Sequence, residues 1–161
     1  MKHSNLFKHL GTGAFCVALL LAPTLAMAQD QGSKAMSARQ GFMQVVVWEA
    51  GPLFGMAKGD VPYDAEVAAA NAANLNALVQ YGVDRLFIPG TSKSEHPSDS
   101  RALMSIWNQP AEFAAAYGDM QAATAALAAE AGNGQEALAA AVGNLGKSCG
   151  NCHEDFRAKE Y

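Results

Sequence analysis

Apolar and sulfur-containing side chains recur at alternating intervals of four and three residues near the end of the chain. This spacing places a series of side chains on one face of an α-helix, and such a face is buried by packing against other helices. The C-terminal stretch therefore predicts a helix within a helical bundle. The residues of the series are Leu138, Val142, Leu145, Cys149, Cys152 and Phe156.

Most of the remaining chain is rich in alanine and has apolar residues three and four positions apart. It predicts helices over residues 33–50 and 64–81 and another that begins at Pro110, while a glycine–proline pair at 51–52 is expected to bend or interrupt the first helix. Residues 82–109 mix polar and large apolar side chains, which predicts one long ordered crossover. The fold class is thus all-α: an antiparallel four-helix bundle with one long crossover, a fold that holds cofactors between facing helices.

The first 28 residues have the three regions of a secretory signal peptide. Lys2 and Lys8 charge its start, an apolar run follows, and small residues precede a predicted cleavage after Ala28. The apolar run is too short to span a bilayer stably. We therefore expect residues 1–28 to be removed, residues 29–161 to form one exported, periplasmic domain, and no later segment to span a membrane.

Removal of the signal peptide changes the charge and the cysteine count. The remaining 133 residues carry nine basic and 15 acidic side chains, a formal charge of −6. An acidic domain is a poor ligand for nucleic acids and for anionic membranes, so we expect neither as a partner, and a charged protein partner should present basic patches. Cys16 is lost with the signal peptide, which leaves Cys149 and Cys152.

The segment SCGNCHEDFR places Cys149, Cys152 and His153 three and four residues apart, on one face of the last helix. The pattern C-x-x-C-H is the attachment signal for c-type haem, in which two thioethers hold the porphyrin and the histidine reaches the iron. The alternatives are a zinc site, for which His96 is the remaining histidine, a thioredoxin-like dithiol, and a disulfide that closes a very small loop. The helical context favours one covalent haem c, because a porphyrin fills the space between facing helices.

The chain resembles the class II cytochrome c family, which contains cytochrome c prime and its low-spin, methionine-ligated relatives. The likeness covers nearly all of residues 29–161: ARQGFMQ in the first helix, AKGDVPYD in the next connection, LFIPGTS and SIW in the crossover, and GKSCGNCHEDFR at the end. The resemblance implies that Cys149 and Cys152 hold the haem and that His153 is the proximal axial ligand.

The same resemblance implies haem contacts further from the attachment motif. Arg39 and Gln40 match a pair on the first helix near the propionates and the haem edge, and Thr91 matches a haem-contacting threonine in the crossover. High-spin members often carry a glutamate after that threonine, and Ser92 stands there in this chain. The chain therefore departs from the high-spin pattern on the propionate side.

Arg157 follows His153 by four residues, which on a helix places its guanidinium on the same face. Two interpretations stay open. The side chain lies over the proximal imidazole or a propionate, or it is a surface arginine paired with Glu154 or Glu160. Arg157 is accordingly a candidate for a haem contact on the proximal side.

Met43 occupies the distal position of the first helix, where the resembled family divides. In low-spin relatives a methionine at this place binds the iron and gives a six-coordinate electron carrier, whereas in cytochrome c prime the iron stays five-coordinate. A thioether ligand raises the haem potential and favours electron transfer. An open apolar distal site instead admits a small neutral gas.

The sequence thus predicts a non-enzymatic, periplasmic cytochrome that carries one electron between redox protein partners, with Met43 as the candidate distal ligand. The alternative is a five-coordinate cytochrome that binds nitric oxide or carbon monoxide. The resemblance is also consistent with a homodimer.

Overall fold

The computed structural model describes the backbone of residues 15–161 and the side chains of residues 31–161. The predicted signal peptide, residues 1–28, lies outside the residues whose side chains are described. No helix in the described part of the chain is long and apolar enough to cross a membrane. The α-helices are α1 (Phe15–Lys58), α2 (Ala65–Gln80), α3 (Ser105–Asn108), α4 (Pro110–Glu130) and α5 (Gln135–Phe156).

The four long helices form an antiparallel bundle. α1 packs against α2 and α5, and α4 packs against the same two helices. The Tyr117 hydroxyl of α4 donates to the carbonyl of Val79 in α2, whereas Thr124, two turns later, reaches Asn76, which precedes Val79. The helices joined by the long connection therefore also run antiparallel. The predicted all-α, antiparallel four-helix bundle is confirmed.

Single residues account for several helix ends. The Asp64 carboxylate accepts hydrogen bonds of 3.0 Å from the backbone N–H groups of Glu66 and Val67, which caps the start of α2. Pro110 is the first residue of α4, where its missing N–H has no helical partner to lose. Gly59 follows α1 with a φ of 79°, a conformation that glycine adopts without strain.

α1 is not interrupted at Gly51 and Pro52, contrary to one of the two outcomes expected for this pair. The helix continues through both residues to Lys58. Gly51 and Pro52 face solvent, whereas Leu53 and Met56 are almost completely buried. Burial of each such side chain contributes roughly 1.5–3 kcal/mol to the free energy of folding. This gain offsets the cost of the helical hydrogen bond that proline removes.

Two apolar clusters fill the interior of the protein. The main core lies between the four long helices, and Leu53, Leu75, Leu127, Leu138 and Leu145 are among its most buried members. A second group, called here the aromatic cluster, consists of Ala102, Ile106, Phe113 and Phe156, with Phe87, Trp107 and Cys152 packed against it.

The long connection, residues 81–109, is ordered, as predicted. It contains a 3-10 turn (Asp84–Leu86) and the short helix α3. Trp107 donates from Nε1 to the carbonyl of Phe87 at 3.0 Å, and Phe87 packs edge-on against Phe113 with ring centroids 4.9 Å apart. These aromatic contacts hold the connection against α4 and place it beside the end of α5.

Candidate functional site

Three side chains of the predicted attachment motif lie together on one face of α5. The apolar members of the predicted register are buried, whereas Cys149, Cys152 and His153 are half-buried. Both cysteines are free thiols. Cys149 packs against the main core, Cys152 packs against the aromatic cluster, and Phe87 packs against both. The motif therefore lies where the two apolar clusters meet.

Burial controls the protonation of these groups. It raises the pKa of the Cys149 thiol, and it raises the pKa of Cys152 with a further contribution from nearby negative charge. The pKa of His153 is lowered, first by burial and then by the positive charges of Arg157 and Arg101. The environment thus favours neutral thiols and a neutral imidazole, the form of histidine that binds metals.

The described residues do not assemble a zinc site around the cysteines. No group of three or more histidine, cysteine, aspartate or glutamate side chains is placed to hold a metal ion in that part of the protein. His96, considered as a zinc ligand, lies in the long connection and donates from Nε2 to the carbonyl of Gly90 at 3.0 Å. The cysteine pair lies in the last two turns of α5, whereas a thioredoxin-like pair opens a helix after a strand.

Arg39 on α1 is buried, with 6% of its surface exposed. Its Nη1 donates to Thr91 Oγ1 at 2.9 Å, its Nη2 donates to the Thr91 carbonyl at 3.1 Å, and the guanidinium lies 4.7 Å from the ring centroid of Phe87. Burial lowers the pKa of Arg39, yet an arginine remains charged in proteins. Among the described residues, this buried positive charge has only neutral partners.

Thr91 organises the part of the long connection that faces Arg39. Its hydroxyl donates to the carbonyl of Ile88 at 2.7 Å, and its own carbonyl also accepts from Ser100 Oγ at 2.8 Å. Thr91 and Ser100 are both buried. Two of the predicted haem-contacting residues, Arg39 and Thr91, are therefore hydrogen-bonded to each other.

Ser92 is buried at the position where the resembled high-spin pattern often has glutamate. It donates from Oγ at 2.6 Å and from its backbone N–H at 3.1 Å to the carboxylate of Glu95, and these bonds lower the pKa of Glu95. A carboxylate is thus present beside this position, but it comes from a residue three places later in the chain. The remaining predicted contact, Gln40, is exposed and donates to the carbonyl of Asp99 at 2.7 Å.

A cavity of 340 Å³ lies beside Gln40 and not beside the cysteines. The residues that line it do not include Cys149, Cys152, His153 or Arg39. We therefore place the candidate site at the cysteine motif and not at this cavity. The lining residues are Ser33, Met36, Ser37, Gln40, His96 and Asp99.

Arg157 lies outside the helix that carries His153. α5 ends at Phe156, and Arg157 has an extended backbone with φ −125° and ψ 125°. The helical spacing from which its position was predicted therefore does not apply. The side chain is exposed and forms no ion pair with Glu154 or Glu160 in the described structure, while its charge contributes to the lowered pKa of His153.

Met43 lies one turn after Arg39 on α1, half-buried and packed against the main core. Its neighbours along the same helical face, Met36, Val46 and Ala50, are buried. The Met43 side chain is therefore on the interior face of α1. This position is required of a distal ligand, and it is equally suitable for a residue that only packs in the core.

Two residues of the site were missing from the sequence-based assignment. Phe87 contacts both apolar clusters and lies against the guanidinium of Arg39, and Arg101 contributes to the electrostatics of His153. Both belong to the long connection, whose path depends on tertiary contacts. The presence of large apolar side chains in an otherwise polar segment was a signal for Phe87, whereas no pattern in the sequence pointed to Arg101.

Comparisons with known proteins identify the family. The family model described as Cytochrome C' matches residues 34–157. The chain belongs to the cytochrome c' family. Cytochrome c-554 from Cereibacter sphaeroides is 40% identical over 147 residues, which cover 91% of this chain and 95% of that protein. Similarity to cytochrome c' is therefore accompanied by similarity to a c-554 relative.

Solved cytochrome c' structures match the fold. The structure from Rhodobacter sphaeroides has a TM-score of 0.77 and 42% identity, and the match covers 80% of this chain and 98% of that one. A nitric oxide complex of a mutant cytochrome c prime from Alcaligenes xylosoxidans has a TM-score of 0.70 and 29% identity, with 80% and 97% covered.

Members of the cytochrome c' family are non-enzymatic haem proteins with one covalent haem c. The side chains described above fit this cofactor. Two free thiols and a neutral imidazole lie on one helical face, and the buried cation of Arg39, which lacks an anionic partner in the described structure, suits the carboxylate of a haem propionate. The matched range contains every residue predicted for the site.

Proposed function

We propose that the chain is a periplasmic one-electron carrier whose single haem c is attached through Cys149 and Cys152 and bound at iron by His153. One observation carries the proposal: the three side chains are half-buried on one face of α5, where the main core and the aromatic cluster meet. Two free thiols at this spacing suit two thioether bonds, and a neutral imidazole suits iron ligation. The covalent haem c of the family supports the same assignment.

When bound, haem c supplies a ferrous–ferric couple whose potential depends on ligands, burial and nearby charge. Arg39 would hold a propionate from its remaining donor groups, while Thr91 fixes the guanidinium in place through two hydrogen bonds. The positive charges of Arg101 and Arg157 near His153 favour the ferrous state. Because the exported chain carries a formal charge of −6, we expect its redox partners to present basic patches.

Met43 is proposed as the distal ligand. Its half-buried position on the interior face of α1, one turn from Arg39, supports this role, as does the resemblance to methionine-ligated relatives. If Met43 held the iron together with His153, the two protein ligands would limit rearrangement on a change of oxidation state, which suits electron transfer.

A second candidate function is gas binding at a five-coordinate haem. The observation that favours it is the similar structure of cytochrome c prime from Alcaligenes xylosoxidans, which is a nitric oxide complex. In that case Met43 is an apolar packing residue beside an open distal position, and nitric oxide or carbon monoxide binds to the ferrous form.

The experiment is expression with export and haem attachment, followed by intact mass and absorption spectra. The first proposal expects the mass of residues 29–161 plus one haem, retained after acid extraction and lost in the double variant Cys149→Ser, Cys152→Ser. Methionine ligation expects a low-spin spectrum with the long-wavelength methionine–iron band of the ferric form. A high-spin spectrum with rapid carbon monoxide binding favours the second candidate, and a chain without covalent haem contradicts both.

We also propose that the protein is a homodimer through the outer face of α1. Three apolar side chains close in sequence are exposed there: Val45 is 45% exposed, Val47 is 70% exposed and Trp48 is 77% exposed. Exposed large apolar side chains are a feature of protein interfaces when they form a continuous patch. Sedimentation velocity should report a dimer that Trp48→Glu dissociates, whereas Met104→Glu, at an exposed apolar residue of the long connection, should leave it intact. A monomeric wild-type protein at high micromolar concentration contradicts the proposal.

A further inference from the structure

The end of α5 is paired with the long connection by backbone hydrogen bonds. The N–H of Leu103 donates to the carbonyl of Phe156 at 3.0 Å, and the N–H of Ala158 donates to the carbonyl of Arg101 at 2.8 Å. Ala102 and Arg157 face each other between these bonds as an antiparallel bridge. The chain therefore passes from the last turn of α5 directly into a two-stranded contact.

Side chains from the connection reinforce this pairing. The Ser105 hydroxyl donates to the carbonyl of Asp155 at 2.6 Å. Arg101 donates from Nε to the carbonyl of Ala158 at 2.8 Å and from Nη2 to the carbonyl of Lys159. Residues 101–105 and 155–159 are called here the C-terminal clasp.

The clasp supplies partners to a helix end that lacks them. The last four carbonyls of an α-helix have no intrahelical donor, and many helices use a glycine to satisfy them. In α5, Ser105 and Leu103 bond the carbonyls of Asp155 and Phe156, and the N–H of Arg157 bonds the carbonyl of His153 at 3.2 Å. The turn held in this way is the turn that carries the imidazole.

The clasp is itself anchored to the interior of the protein. The N–H of Ala102 donates to Ser100 Oγ at 3.2 Å, and that hydroxyl donates to the carbonyl of Thr91 at 2.8 Å. Since Thr91 is bonded to Arg39, the clasp connects the end of α5 to α1 through the buried polar groups of the connection. The backbone that follows His153 is therefore linked by hydrogen bonds to this network.

We propose that Arg101 and Ser105 are positioning residues that hold the last turn of α5 and thereby fix the orientation of the His153 imidazole toward the iron. The inference rests on the proposed haem ligation by His153. It assigns to the long connection a role on the proximal side of the haem, beyond the contact at Thr91. Neither side chain needs to touch the haem for this role.

The test compares hydrogen exchange and spectra of the haem-loaded protein. Ser105→Ala should speed amide exchange at residues 155–159 about fivefold, the equivalent of one hydrogen bond of about 1 kcal/mol, without changing the centre of α5. It should also shift the midpoint potential and broaden the ferric electron paramagnetic resonance signal, because the imidazole samples more orientations. Ser105→Thr, which keeps the hydroxyl, should restore all three readouts.

Two further variants distinguish the effect of the clasp hydrogen bonds from the effect of the Arg101 charge and from the effect of removing any surface hydroxyl. Arg101→Lys keeps the positive charge near His153 but loses the guanidinium fork, so it should behave like Ser105→Ala. Ser98→Ala removes an exposed hydroxyl without a hydrogen-bond partner in the described structure and should match the wild type.

The outcomes separate this inference from the proposed function. Faster exchange with an unchanged potential and resonance signal makes the clasp a stabilising contact alone and overturns its positioning role. Unchanged exchange in both Ser105→Ala and Arg101→Lys also overturns it. A chain with no covalent haem in the intact mass contradicts the proposed function instead, whatever the exchange result.

Discussion

Replacement of Arg39 by methionine tests whether this residue holds an anionic group of the cofactor. Methionine is unbranched, apolar and of similar volume, so Arg39→Met removes the charge and the hydrogen bonds while it keeps most of the buried bulk. Arg39 is 6% exposed, and its guanidinium is hydrogen-bonded to Thr91 alone in the described structure. Both Thr91 acceptors keep a role in the variant, because the hydroxyl still donates to Ile88 and the carbonyl still accepts from Ser100.

The two possible environments of Arg39 predict different losses of stability for Arg39→Met. Without an anion, loss of two charged hydrogen bonds of roughly 1.5–3 kcal/mol each is offset by relief of a desolvation penalty of several kcal/mol, so the net change is about zero. With a buried propionate as partner, Arg39→Met leaves that carboxylate unpaired and costs about 3–5 kcal/mol. We expect the second result in the haem-loaded protein.

The same substitution should lower the midpoint potential, because a nearby positive charge favours ferrous over ferric iron. At an effective dielectric constant of about 20, one unit charge would contribute roughly 1.7 kcal/mol at a separation of about 10 Å. For a one-electron couple this corresponds to about 70 mV. Added salt should change the shift little, because the guanidinium is buried.

Denaturant unfolding and spectroelectrochemistry measure the two quantities. Arg85→Met is the matched control, since Arg85 lies in the long connection, is exposed, and stacks over Tyr81 with its guanidinium 4.2 Å from the ring centroid. It should cost at most about 1 kcal/mol. If Arg39→Met matches the wild type in both stability and potential, then Arg39 does not hold a buried anion.

Three other substitutions test separate parts of the structure. Met43→Ala should convert a low-spin absorption spectrum to a high-spin one, and an unchanged spectrum removes Met43 from the iron. Glu95→Gln should flatten the acid limb of a thermal stability profile: the folded-state pKa is lowered by Ser92, so the stabilisation is present above the unfolded pKa of about 4.3 and is lost as pH falls through the folded value. Leu145→Ala, at a residue 1% exposed, should destabilise the fold by about 2–5 kcal/mol in denaturant unfolding, whereas Val67→Ala, at a residue 45% exposed on α2, should change stability by less than about 0.5 kcal/mol.

The helical framework was predictable because its packing follows local periodicity. In α4 the buried residues recur at alternating intervals of four and three: Phe113, Tyr117, Met120, Thr124 and Leu127. In α2 the buried series is Ala68, Ala72, Leu75 and Val79, so it includes small residues that look unremarkable in the sequence. The continuity of α1 through Pro52 was not predictable from local preference, because the burial of Leu53 and Met56 decides it.

Within the candidate site, the motif on α5 was predictable and its surroundings were not. Cys149, Cys152 and His153 are close in sequence, so helical geometry alone places them on one face. The contact between Arg39 and Thr91 joins residues 52 positions apart and was reached through resemblance. Arg157 illustrates the limit of helical spacing, since the helix ends one residue before it.

The helices and the long connection have different roles, and this difference explains why the amino-acid composition changes at residue 82. The helices need apolar faces, and their substitutions should act mainly on stability. The connection places hydroxyls on both sides of the candidate site: the buried Thr91 holds Arg39, and the half-buried Ser105 caps the turn that carries His153. An apolar residue in place of Thr91 would leave the buried guanidinium of Arg39 without this side-chain acceptor. Substitutions in this connection should therefore change the haem potential at a smaller cost in stability than substitutions in the main core, because loops held by a rigid bundle position functional groups without forming the core.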